Sequence, residues 1–358
     1  MAAQSKWEGN SKHKTGVPHA TTRRTGTVSG DRSLFRFRML ALTGVVGMAV
    51  PPLLRAQWPP DSFTNLQTLP DTIRPQELMQ LMSSFTRALG VRCSSCHVGK
   101  EGRPLAEYDF PSDRKVMKRK ARTMLEMVLR INRDHLSQLE ERESPPVRVE
   151  CATCHRGVRV PRPLQDIVVN TYATAGIDSA EAMYRELRRR YYGRAAYDFG
   201  DVSLVDAADS VAHAGSLEDA LRLHALNLEL NSDSRLAQRS YATAAVEQAL
   251  LANGDSAGVE RYRGLHARFG PAAFPQFAMS QLGRDLLGRG RADLAATAFT
   301  LVTQAYPGSV NAFTSLGDAR AANGQVAEAI SAFEKALALD PDNATAKRRI
   351  AELRDVGK

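Results

Sequence analysis

Along most of this chain, apolar residues recur three or four positions apart, the spacing of a helix with one buried face. Leu78, Met82, Phe85 and Leu89 share one face of a segment that opens at Pro75 and stops at Gly90, so a helix is predicted there. A second helix is predicted over about 114–140, with Met117, Met124, Met127, Val128, Ile131 and Leu136 on its apolar stripe. Pro161 and Pro163 close this region, and Ala180–Tyr192 reads as a further helix. The pattern predicts an all-α chain.

Beyond residue 200 the pattern repeats. Leu282 matches Leu316, Gly283 matches Gly317, and Gly290 matches Gly324. Ala295 matches Ala329, Phe299 matches Phe333, and Pro307 matches Pro341. Every pair lies 34 residues apart, the tetratricopeptide (TPR) period of two antiparallel helices with small residues at their crossing. The competing reading is an unrelated helical bundle. Gly215–Ala220 and Ala237–Phe269 read as drifted copies. About four units are expected over 200–345, with Ala344–Val356 as a polar capping helix. Such a solenoid offers a groove for a peptide or a protein face. It carries no cluster of catalytic residue types. His213, His224 and His266 are isolated and read as surface or packing histidines, and Tyr191, Tyr192 and Tyr197 as packing for the first repeat.

Charge changes the picture only at the N-terminus. The chain has 358 residues and a formal charge of +9, but residues 1–56 hold nine Lys/Arg against Glu8 and Asp31. The remainder is nearly balanced, with 39 Lys/Arg against 37 Asp/Glu, so no nucleic-acid partner is expected. Arg36 and Arg38 precede the uncharged run Met39–Leu54, and Ala56 follows it. This reads as an export signal cut after Ala56, placing the protein in the periplasm. A retained membrane anchor is the alternative, although sixteen uncharged residues make a helix of only ~24 Å against a bilayer core of about 30 Å.

All four cysteines fall in two identical patterns: Cys93-Ser94-Ser95-Cys96-His97 and Cys151-Ala152-Thr153-Cys154-His155. CxxCH is the attachment motif of c-type haem, in which two thiols add to the porphyrin vinyl groups and the next imidazole reaches the iron. Two covalently bound haem c groups are therefore expected, with Cys93, Cys96, Cys151 and Cys154 holding the porphyrins and His97 and His155 the irons. The competing readings are a four-thiolate zinc site and CxxC disulfides. A thioether as second axial ligand would give an electron-transferring haem of raised potential. Met82 or Met79 is available upstream, and Met127 or Met124 on the second helix, with His135 as an imidazole alternative. Methionine at helical spacing is also ordinary core filler.

Residues 64–165 resemble one two-haem half of the cytochrome subunit of photosynthetic reaction centres. The resemblance rests on Leu78-Met79-Gln80-Leu81-Met82, on Leu89-Gly90-Val91-Arg92 running into Cys93, on Met127–Asn132, and on Cys151–Val158. It implies that each haem lies beside a methionine-bearing helix, with Met82 facing the iron of His97 and Met127 that of His155. It departs from the family in having two haem motifs where well-known members have four, in lacking a lipid-anchor cysteine, and in its C-terminal half.

The fold class expected is thus a small multihaem cytochrome c domain followed by a TPR solenoid. The expected divisions are a signal peptide or anchor over 1–56, a dihaem domain over 57–165, a linker helix over 166–200, and repeats over 201–358. Sixteen Lys/Arg against ten Asp/Glu between residues 85 and 160 leave a basic excess for the propionates. Arg156 and Arg159 are candidate partners for them. The run Arg114–Arg122 reads either as a solvated helix face or as a docking patch. The function expected is electron carriage from a soluble donor to a membrane redox complex, such as reaction-centre subunits, with the solenoid as docking domain. A peroxidase-like dihaem enzyme and a haem-stabilised scaffold are the alternatives.

Overall fold

The computed structural model describes Pro60, residues 62–141 and residues 143–356. The segment read as an export signal or anchor lies outside these residues. Among the described residues the fold is helical throughout, and the β pairing found is a single bridge between Val98 and Asp109. No described helix is long and apolar enough to cross a membrane.

Helix α1 spans Pro75–Leu89. Pro75 occupies the first turn, where its missing N–H has no intrahelical role, and the Glu77 carboxylate accepts from the Arg74 backbone N–H at 3.4 Å. Gly90 ends the helix in the left-handed conformation at φ 62°. Short helix α2 is Cys93–Cys96, and α3 is Val116–Arg130. The helix expected over 114–140 is α-helical only to Arg130. It widens into one π turn, Ile131–His135, and tightens into a 3₁₀ turn, Leu136–Gln138. In that wider turn Asn132 reaches across to Val149, which an unbroken α-helix did not foretell. Short helix α4 is Cys151–His155.

Helix α5 spans Leu164–Tyr191 and breaks at Gly176, whose φ of 78° lies outside helical space. It does not run alone. Leu164, Val168, Ala180 and Tyr184 are buried in one core with Leu204 and Ala208 of α6 (Asp201–His213) and Leu223 of α7 (Leu217–Leu230). Helix α8, Arg235–Phe269, breaks in the same way at Gly254. Then follow α9 (Gln276–Gly288), α10 (Ala292–Ala305), α11 (Val310–Ala322), α12 (Val326–Leu339) and α13 (Ala344–Val356). Ser216, Ser234 and Ser309 cap α7, α8 and α11 by accepting from backbone N–H groups three residues on.

The 34-residue period has a direct packing cause. A Cβ on Gly283 would stand 2.6 Å from the Phe299 ring, and one on Gly317 would stand 2.6 Å from the Phe333 ring. Each phenylalanine is fully buried where two helices cross. The repeat is therefore one contact made twice: an aromatic ring laid on a bare backbone. Helix α13 closes the stack, with Ala346 and Ile350 buried beside Phe333 and Arg349 bonded to Asp318 at 2.8 Å.

His224 is buried in this solenoid, and its Nδ1 has no hydrogen-bond partner. Burial lowers its pKa from 6.5 to about 4, so at neutral pH its 3.9 Å approach to Asp209 is not an ion pair. The unfolded chain takes up a proton below about pH 6.5 that the folded chain refuses until about pH 4. Stability from this residue is complete above pH 6.5 and falls away as the pH drops towards 4. The expected loss at pH 5 is about 2 kcal/mol. Burial shifts Asp209 and Glu247 upward, which acts in the opposite direction. The check is therefore a difference: denaturant stability of the wild type and of His224→Gln at about pH 7.5 and about pH 5. Wild type should lose more by about that amount.

Candidate functional site

The two CxxCH patterns sit on single helical turns. In α4 the sequence Cys151–His155 places both thiols and the imidazole along one turn, and α2 does the same for Cys93 and Cys96. His97 follows α2 in extended conformation, with its N–H on the Cys93 carbonyl at 2.9 Å. All four thiols are free. Among the described residues no three His, Cys, Asp or Glu side chains converge as a metal ion would require, so the cysteine pairs do not combine into a four-thiolate site. Burial raises the Cys96 and Cys151 thiols above their ordinary pKa, so both are neutral thiols at pH 7 rather than activated thiolates.

Each imidazole is fixed by a backbone carbonyl. His97 Nδ1 lies 3.3 Å from the Phe110 carbonyl oxygen, and His155 Nδ1 lies 3.0 Å from that of Val158. A carbonyl only accepts, so the proton belongs on Nδ1 and the lone pair on Nε2, the arrangement of a metal-ligating histidine. The Phe110 ring leans on His97 with centroids 4.7 Å apart. Burial foremost holds the His97 pKa below the ordinary imidazole value. The Phe110 carbonyl opposes this, while Lys118 and Arg122 add to it.

The loop between His97 and α3 is held by charge. Asp109 N–H donates to the Val98 carbonyl at 2.8 Å, which closes the loop. Lys118 Nζ donates to the carbonyls of Phe110 at 2.8 Å, Pro111 at 2.9 Å and Ser112 at 3.1 Å. Asp113 pairs with Lys118 at 3.1 Å and with Arg122 at 2.9 Å. The Arg122 guanidinium beside it is the main cause holding the Asp113 carboxyl well below the usual carboxylate range, with Asn65 and Lys118 contributing. At the second motif, the Asn132 amide bonds the Val149 backbone in both directions, at 2.7 and 2.8 Å, and so sets the approach to Cys151.

Helix α1, which carries Met79 and Met82, packs on α4. Helix α3, which carries Met124 and Met127, packs on α2. Gly157 N–H donates to the Ala88 carbonyl at 2.8 Å, joining the end of α1 to the end of α4. Met79 and Met82 are half-buried, whereas Met124 and Met127 are 48% and 45% exposed, and His135 is exposed. Beside α4, Arg87, Arg156 and Arg194 line an open cleft of about 440 Å³ with Glu150 as the acidic member. Arg159 is exposed.

This segment fits a porphyrin. Its large apolar side chains are uncovered: Val116, Met124, Met127, Leu129, Leu139, Val147 and Val160 are all exposed, while Leu78, Ala88 and Val158 are its buried apolar residues before α5. A segment with so small a core, two thiol pairs on single turns and two imidazoles with Nε2 left for a ligand has the groups that would hold an apolar, iron-bearing ring.

Sequence reasoning missed the carbonyls of Phe110 and Val158, because a backbone acceptor has no residue-type signature. It also missed the role of Lys118. Asn132 could have been found, since a polar amide next to Ile131 on the apolar stripe calls for a partner.

Paired CxxCH turns followed by a stack of helical hairpins define a c-type cytochrome segment joined to a TPR solenoid. Residues 60–183 match the family of the photosynthetic reaction centre cytochrome C subunit, and residues 280–344 match the tetratricopeptide repeat family. The cytochrome family consists of electron carriers with covalently bound haem, not enzymes. The first match runs past the second motif and through most of α5. No curated protein sequence matches the chain. Among solved structures, the chain is similar to a MamA protein at 20% identity, over 51% of this chain and 92% of that one, with a TM-score of 0.29. It is also similar to a thermophilic TPR protein of Thermus thermophilus at 15% identity, over 53% and 97%, with a TM-score of 0.28. A third is YrrB, a TPR protein with an unusual peptide-binding site, at 16% identity over 53% and 91%, with a TM-score of 0.27.

Proposed function

We propose that this chain is an exported dihaem c-type cytochrome that passes electrons to a membrane redox complex, a photosynthetic reaction centre being the leading candidate. The observation that carries the reading is the repeated site: thiols on one helical turn, followed by an imidazole whose Nδ1 is tied to a carbonyl. The match of residues 60–183 to the reaction-centre cytochrome family supports it.

Cys93 with Cys96, and Cys151 with Cys154, would hold the two porphyrins by thioether bonds, each S–H adding across a vinyl group with no atom lost. His97 and His155 present Nε2 to the iron. When bound, the haem supplies a one-electron Fe(III)/Fe(II) couple. Met82 completes the site of His97, and Met127 that of His155. These pairings rest on the family resemblance; in the structure each methionine helix packs on the other pair's motif. Exposed Met124 and Met127 gain cover in such a site. Arg156 and Arg159 serve as partners for propionates. The solenoid docks a protein or peptide and thereby positions the cytochrome segment. The N-terminal segment exports the protein to the periplasm, where a soluble donor reduces it.

The test is a potentiometric titration of the purified protein followed in the visible spectrum. Two reversible one-electron steps support the reading. Haem that is attached but takes up no electron reversibly favours a purely structural role and overturns it.

A further inference from the structure

We infer that Lys118, acting through the Phe110 carbonyl, positions His97 and sets the reduction potential of the first haem above that of the second. This rests on the dihaem reading given above.

Lys118 is a nearly buried ammonium, with its side chain 11% exposed. It is held by three consecutive carbonyls and by Asp113. The first of those carbonyls, Phe110, is also the acceptor for His97 Nδ1. Arg122, 17% exposed, shares the same carboxylate. Two cations and one carboxylate leave a net charge of +1 beside the orienting bond of His97.

Two consequences have the same sign. A carbonyl already occupied by an ammonium is a weaker acceptor for the imidazole N–H, and its bond to His97 is the longer of the two at 3.3 Å against 3.0 Å. The imidazole therefore donates less electron density to the metal. The uncompensated charge also disfavours the ferric state, which carries one positive charge more than the ferrous, and screening is weak at a nearly buried site. At the second motif no lysine or arginine side chain among the described residues donates to the Val158 carbonyl, the nearby Arg87, Arg156 and Arg194 are exposed and screened by solvent, and the imidazole bond is shorter. The couple itself takes one electron from the mediator dyes at iron; no bond is made or broken and no proton moves.

The experiment is a potentiometric titration of the full-length holoprotein as wild type, Lys118→Met and Lys118→Arg, with haem content measured on each sample. Lys118→Met should lower the higher-potential wave alone, by tenfold or more in the reduced-to-oxidised ratio at fixed poise, or about 59 mV for one electron. Lys118→Arg should restore most of the shift. An unmoved wave with both haems in place overturns the inference, as does an equal shift of both waves or a shift of the lower wave. Should Lys118→Met fail to load haem, Cys151→Ala/Cys154→Ala decides the matter, because its remaining wave must coincide with the higher wave of the wild type. Coincidence with the lower wave overturns the inference. A wild type lacking two haems defeats the underlying reading instead, so the two failures are distinguishable.

Discussion

Replacing Cys151 and Cys154 together by alanine should lower covalently bound haem from the proposed two per chain to one and leave the solenoid folded. The two thiols stand on one helical turn, with His155 closing it, so they act together on one ring. Alanine is the best helix former, so the turn itself survives the exchange. The solenoid has its own cores, around Phe299, around Tyr184 and around Phe333, and none of them includes the second motif. Haem content is read from the alkaline pyridine spectrum against protein concentration, and folding from helical circular dichroism. The corresponding change at Cys93 and Cys96 should halve the haem in the same way. An undiminished haem content in either variant would show that the motifs do not attach the haem.

Gly90→Ala should cost more stability than Gly102→Ala in the same segment. Gly90 adopts φ 62°, where a residue with a Cβ is disfavoured by about 1–2 kcal/mol. Its Cβ would also overlap the Gly157 carbonyl oxygen. That atom is backbone and cannot swing aside like the tip of a side chain. The two strains together should exceed about 3 kcal/mol. The contact lies where α1 meets α4, beside the bond from Gly157 N–H to the Ala88 carbonyl, so the second haem site should be disturbed although the change is made before the first motif. Gly102→Ala is the control. Gly102 has φ 81° with open space around it, so it carries the backbone strain alone, about 1–2 kcal/mol. Denaturant midpoints of the two variants, followed in the haem spectrum, separate the two strains. Equal losses would mean that the close approach of α1 and α4 contributes nothing.

Much of this architecture was legible because it is written in residue types. Pro75 and Gly90 mark the ends of α1, and six residues matched at one period mark the solenoid. The matched glycines and phenylalanines prove to be the two sides of one contact, which is why they recur together. Helix α5 was harder to read. The break at Gly176 resets the phase of its apolar stripe, so Leu164 and Val168 do not line up in sequence with Ala180 and Tyr184, although all four share a core. At the site, the cysteines and histidines announce themselves, but their supports do not. Phe110 and Val158 act through backbone oxygen. Lys118 belongs to a run of basic residues that look alike in sequence, and only the fold turns it and Arg122 onto Asp113, while the Arg114 side chain stays largely in solvent.

The central claim is that both irons are six-coordinate and pass electrons without binding substrate. Carbon monoxide added to the fully reduced, purified protein tests it most directly, because the gas takes only an iron position that no side chain holds. The predicted result is a visible spectrum unchanged by carbon monoxide at both haems, with Met82 and Met127 in place opposite His97 and His155. Prompt binding at either haem would contradict the claim and bring the dihaem enzyme to the front.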